Sequence, residues 1–334
     1  MIPRQPFPSL NILKMPSENE GVKGETEMRL FDLHCDTLYR AFTENGSFND
    51  SRFHISYDRA GDIDPYIQCM AVWIPDEYMG ESAFRLFDDC CKLINRELND
   101  NPCGFHKAEN SEELEKSSYN IILSVEGGAV LGGDLNRVEL LKKRGVRFIT
   151  ITWNGSNEIG DGILCENPKG LSSFGKELIP VLEENNIIVD ISHASEPLFY
   201  DVAQLAKKPF VATHSNSRKY CSNKRNLTDE QFRYICKSGG IVGLNFHRYF
   251  LKDDGNAGFS DIEKHMEHFL SLGGEDNISL GSDFDGAEMP YCIKGVENMA
   301  DLYGYFLSRN YSEELLRKIF YNNAERFLKS YDMT

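Results

Sequence analysis

Residues 187–193 read Ile-Ile-Val-Asp-Ile-Ser-His: a short, mostly β-branched run followed by a serine and a histidine. A run that is nearly continuous in apolar character, and not alternating, is the mark of a strand covered on both faces, as in a parallel sheet wrapped by helices. Seven other stretches share this shape: 29–33, 68–74, 121–125, 147–153, 210–213, 241–246 and 278–281. Helical patterns lie between them. Leu198, Val202, Leu205 and Ala206 fall on one helical face, with Pro197 in the first turn, where its missing N–H is harmless. Ile262, Met266, Phe269 and Leu270 repeat the spacing, and Gly273 suits the C-cap. Strands alternating with helices give a parallel α/β sheet, and eight of them favour a closed (β/α)8 TIM barrel. Such a barrel needs about 250 residues. The 334 present leave room for long loops such as 75–120.

The mouths of these runs carry the chemistry. In barrels the reactive groups sit where strands end. Here the first run ends in Leu33-His34-Cys35-Asp36, the third in Val125-Glu126-Gly127-Gly128 and the fourth in Trp153-Asn154. The fifth ends in Ser192-His193, the sixth in Thr213-His214 and the eighth in Ser282-Asp283-Phe284-Asp285-Gly286. Any one of these is commonplace: His-x-Asp is often a hydrogen-bonded pair near a loop, and a lone histidine is more often a satisfied interior group than a ligand. Their coincidence at strand ends is what points to a metal site, since imidazole and carboxylate together suit zinc-like cations. His265 and His268 lie three apart among charged neighbours, which reads as a solvated helix face and not a ligand pair. His54 and His106 have no nameable partner, and His247, just after the seventh run, is placed to line the rim.

Composition narrows the class. Hydrophobic residues make up 41% and charged residues 26%, as in a globular chain. The net charge of −16 repels phosphate backbones and anionic lipid, which argues against nucleic acid and membrane surfaces as partners. Nine cysteines, without a CxxC, read as reduced thiols of a cytoplasmic protein. Residues 1–27, with Pro3, Pro6, Pro8 and Pro16, read as a flexible N-terminal arm without a signal-peptide core, and 28–334 as one hydrolase domain. A non-covalent homodimer is left open.

The motifs FDLHCDTL, SVEGG, DISHAS, ATHSNSR followed by NKRN, and LGSDFDG resemble, in that order from Leu30 to Leu328, the membrane (renal) dipeptidase family of zinc metallopeptidases in the amidohydrolase superfamily. The resemblance implies two Zn2+ ions per chain, one held by His34 and Asp36, the other by His193 and His214, with Glu126 bridging. It implies hydrolysis of a dipeptide, also one with a C-terminal D-residue, by a metal-bridged hydroxide. Asp283 aligns with the acid that shuttles protons, and Arg225 with the arginine that grips the substrate carboxylate. Mammalian members carry a histidine near the end of strand four where this chain has Trp153. Tryptophan packs over a ligand and offers one N–H, but it is no imidazole. Another small amide, lactone or ester, or a metal-containing binding protein with little turnover, are the alternatives.

Overall fold

The computed structural model describes residues 28–100 and 104–333. The expected arm at 1–27 lies outside the described residues. Seven parallel strands form one curled sheet: β1 (Leu30–Cys35), β2 (Tyr66–Trp73), β4 (Tyr119–Glu126), β5 (Val146–Thr150), β6 (Ile188–Asp190), β7 (Val242–Leu244) and β8 (Ile278–Leu280). The two-residue β3 (His106–Lys107) flanks β4 outside this order. Neighbours run β6-β5-β4-β2-β1-β8-β7. The seam between β6 and β7 is closed by residues 210–213, through parallel bridges Asp190–Val211 and Ala212–Val242. The eight runs read from the sequence are thus the eight staves of a barrel, the sixth held by single bridges.

Alternation along the staves sorts their side chains. Phe31, Leu33, Ile67, Cys69, Ile122, Phe148, Ile188, Val211 and Ile241 form one cluster inside the ring, and the intervening residues pack outward against the helices in a larger core. The C-terminal helix Asn323–Asp332 adds Phe327, Leu328 and Tyr331 to the inner cluster. Tyr331 donates to the Ile187 carbonyl, and Arg147 pairs with Asp332, so this helix caps the ends where strands begin and leaves the other end open. Staves seven and eight pass close to the sixth. A Cβ on Gly243 would lie 1.9 Å from the Thr213 carbonyl oxygen, and one on Gly281 1.8 Å from it. Only glycine fits such an approach.

Two expectations are corrected. The stretch 75–120 is not a plain loop: Gly80–Asp100 is a 21-residue helix. Its Ala83, Phe87, Cys90, Cys91 and Ile94 are buried in a helical spacing. Nor is the His265 face of helix Phe259–Ser271 solvated. His265 is fully buried, its Nδ1 accepting from the Ser217 N–H at 3.1 Å and its Nε2 lying 3.0 Å from the Leu251 carbonyl. Charged neighbours concealed this, because the helix packs beneath the loop that follows stave six. His268 is partly buried and pairs with Asp229 at 2.7 Å.

Candidate metal centre

The open end of the barrel gathers the residues read from the strand ends. Between β1 and β2 the register slips between Asp32 and Cys35, which re-aims the chain around His34. Stave eight is laced to stave one: the Asp36 N–H donates to Phe284 O at 2.8 Å, and the Asp283 N–H to His34 O at 3.1 Å. Asp283 and Asp285 both lie in the left-handed region, at φ 63° and 66°. Aspartate tolerates that conformation better than most residues. Gly286 then passes so close that a Cβ there would sit 1.9 Å from Asp36 Oδ2.

At the centre stands Glu126, whose two oxygens face different partners. Oε2 lies 3.8 Å from His34 Nε2. Oε1 lies 2.8 Å from His193 Nε2 and 3.4 Å from His214 Nε2. His34 Nε2 also stands 3.5 Å from Asp36 Oδ2 and 3.9 Å from Asp283 Oδ1. All six side chains are buried. Two sets, His34–Glu126–His214 and His34–Asp36–Asp283, are close enough to share a cation.

Hydrogen bonding fixes the tautomers on one side. The carboxylate of Asp190 accepts from Thr150 Oγ1 at 2.6 Å, from Ser192 Oγ at 2.6 Å and from Thr213 Oγ1 at 2.7 Å. Thr213 thereby spends its proton, so at 2.8 Å it accepts from His214 Nδ1–H. His193 Nδ1–H donates to Asn154 Oδ1 at 3.0 Å. Both Nε2 atoms are then bare lone pairs, 3.1 Å apart, facing a carboxylate oxygen. Three electron pairs converging in a buried space repel one another unless a cation lies among them. On the other side, His34 Nε2 and Asp36 Oδ1 are buried without a hydrogen-bond partner among the described residues. The donor set fits divalent metal binding, with ring N–H groups held by outer partners as ligating histidines require.

The electrostatics divide along the same line. Burial opposes a charge on His34, but Glu126 and Asp36 overcome it and push its imidazole up to about 10. Burial, and then the positive charges of Arg225 and His34, hold His193 and His214 well below the usual histidine value. Burial, reinforced by Asp36, raises the Glu126 carboxyl well above its ordinary range.

Around this centre opens a cavity of about 380 Å³, lined by Trp73, Trp153, Arg225, His247, Phe250 and Asp283 among others. That is the size range of small-molecule sites. Arg225 is 6% exposed and lies over the Phe250 ring, and its Nε, Nη1 and Nη2 are all buried without a hydrogen-bond partner among the described residues. Burial pulls its guanidinium down to about 10 against the pull of Asp283 and Glu126. The sequence placed His34, Asp36, Glu126, His193, His214, Asp283, Arg225 and Trp153 at one mouth, and the structure brings them together. It adds Asn245, whose Nδ2 donates to Asp283 Oδ2 at 2.9 Å and to His214 O at 3.2 Å, and Trp73 at the end of stave two. The strand-end rule, applied to the second and seventh runs, would have flagged both positions but not the contacts that give them their roles.

The fold and this donor set define a metal-dependent hydrolase on an amidohydrolase-like α/β barrel. The chain belongs to the membrane dipeptidase family, peptidase family M19, whose model matches residues 23–334. Dipeptidase 3 of Macaca fascicularis is 28% identical over 292 residues, covering 84% of this chain; the chain spans 59% of that relative's length. Among solved structures, the metallopeptidase dipeptidase AC superposes with a TM-score of 0.85 at 27% identity, covering 91% of this chain and 98% of its own. A Rhodobacter sphaeroides metallopeptidase holding a phosphinate mimic of the dipeptide L-Ala-D-Ala gives 0.83 at 26% identity, covering 91% of this chain and 99% of its own. Among the described residues, no helix is long and apolar enough to cross a membrane.

Proposed function

We propose that the chain is a dipeptidase that uses two zinc ions, one held by His34 and Asp36, the other by His193 and His214, with Glu126 between them. The observation that carries this reading is Glu126, whose two oxygens face two separate ligand groups. Bound there, the metals supply an acidified water and a polarised peptide carbonyl. Asp283 takes the proton of the attacking water and returns it to the leaving amine. Asn245 occupies its Oδ2, so Oδ1, the oxygen that faces His34, is the one free to do so. Arg225 offers its uncommitted N–H groups to the C-terminal carboxylate of the substrate, in a bidentate grip. Trp153, its ring 6.2 Å from that of His193, packs over the bound substrate. The L-Ala-D-Ala mimic held by the Rhodobacter sphaeroides relative supports acceptance of a C-terminal D-residue. The eight described cysteines are free, in keeping with a reducing compartment such as the cytoplasm.

The test is metal removal and return. Chelated protein is expected to lose cleavage of free dipeptides, and zinc to restore it as two ions bind per chain. The C-terminally amidated dipeptide, which offers Arg225 no carboxylate, is expected to be a poor substrate throughout. Full activity after chelation, or equal turnover of dipeptide and amide, sinks the proposal.

A further inference from the structure

Arg225 and Trp73 stand on opposite sides of the mouth. Arg225 follows the sixth stave and Trp73 ends the second, and in a ring of eight these staves are diametrically opposed. If the C-terminal carboxylate is held at Arg225 and the peptide carbonyl lies over Glu126, the other residue of the substrate points at the second stave. This step rests on the dipeptidase reading above. What it meets there is an aromatic wall. The Tyr39 and Trp73 rings meet edge-on at 4.9 Å, and Trp73 and Trp153 likewise at 4.9 Å. All three are half-buried and line the cavity.

The charges that line the cavity beside this wall are largely committed to one another. Of the acids near the wall, Glu44 is engaged by Arg40 at 2.8 Å and by Arg52 at 3.4 Å, while Glu77 stands exposed near Tyr39. Arg40 in turn is held by Glu44 and, at 2.9 Å, by Asp285. Three aromatic rings in mutual contact favour an apolar, polarisable group, which would displace water from all of them at once. We propose that Tyr39, Trp73 and Trp153 form the subsite for the side chain of the N-terminal residue, and that dipeptides with a bulky apolar or aromatic N-terminal residue are the preferred substrates.

Trp73 and Trp153 are the only two tryptophans of the chain, so intrinsic tryptophan emission comes from the two indole rings of this subsite. Two measurements on the zinc-loaded protein test the inference: kcat/KM for Phe-Ala against Gly-Ala, and emission on titration with non-hydrolysable phosphinic analogues of both. Wild type is expected to favour Phe-Ala, and the Phe-Ala analogue to shift the emission more than the Gly-Ala analogue. Trp73→Ala should lower the Phe-Ala to Gly-Ala ratio by about tenfold or more, and Trp73→Phe should recover most of it. A wild-type preference for Gly-Ala, equal losses on both substrates, or analogue binding that leaves the emission unmoved overturns the subsite. Cleavage of both dipeptides with an unaltered ratio in Trp73→Ala overturns the subsite but leaves the dipeptidase reading standing. Cleavage of neither overturns that reading and the subsite with it.

Discussion

The two halves of the barrel mouth solve opposite electrostatic problems. On staves one and eight a single histidine, His34, is surrounded by Asp36, Glu126 and Asp283 and is drawn toward its charged form. On staves five and six, His193 and His214 are held neutral by burial beside Arg225. The first half is rich in negative charge and short of positive. The second presents bare nitrogen lone pairs with their N–H groups tied off by Asn154 and Thr213. Glu126 joins the two. The difference teaches that the two proposed metal sites, though they would share one bridge, need not be equivalent: one would bind chiefly through charge, the other chiefly through fixed lone pairs.

The largest effect is expected on the acid-rich half. Asp283→Asn keeps the shape and the Asn245 contact but cannot take a proton, so kcat should fall by about 10²- to 10⁴-fold with metal content unchanged. Metal analysis beside kinetics separates the outcomes, because Asp283 lies within reach of a cation shared with His34 and Asp36. Loss of one metal with the activity would make Asp283 a ligand and move the comparison from proton transfer to coordination.

On the other half, Arg225→Ala should remove roughly 2–5 kcal/mol of binding to a free dipeptide. That is a loss in kcat/KM of about thirty-fold to several thousand-fold. The amidated dipeptide should lose little more than it already lacks. Equal losses on both would mean that the loop after stave six has been damaged and that Arg225 has no carboxylate to grip.

The third expectation concerns what supports that loop. Burial pulls His265 down from 6.5 to about 4, and its ring holds the Ser217 N–H. Between those values the unfolded chain binds a proton that the folded chain refuses, so stability is full above pH 6.5 and is lost as pH falls toward 4. The shift corresponds to about 3 kcal/mol. Denaturant midpoints followed from pH 7 to 4 should show a shallower decline in His265→Gln than in wild type. Parallel declines would mean that His265 does not carry this part of the acid sensitivity.

The staves and the five proposed ligands were legible because each is a local signal: an apolar run and the polar residue that ends it. The role of Asn245 was not, since its partner Asp283 is 38 residues away and is met only when staves seven and eight lie side by side. His265 was misread for the same reason, as its burial depends on Ser217, 48 residues earlier. The helix Gly80–Asp100 was legible in principle from its buried spacing, but its many acidic and polar residues made the stretch read as a loop. Trp153 was read at the end of the fourth run and took its substrate role from the resemblance, whereas Trp73 needed the ring to be closed before it stood opposite Arg225.

The close passage of Gly243 and Gly281 against the Thr213 carbonyl has a consequence for redesign. At that level staves seven and eight lie main chain against the main chain of stave six, so neither glycine can carry a side chain without displacing the Thr213 carbonyl. A catalyst evolved from this scaffold can be widened or retuned at its rim, where Tyr39, Trp73, Trp153 and Phe250 are replaceable. At Gly243 and Gly281 it cannot be altered in this way, because a side chain there would push on the sixth stave, held by single bridges, and on the histidine it carries.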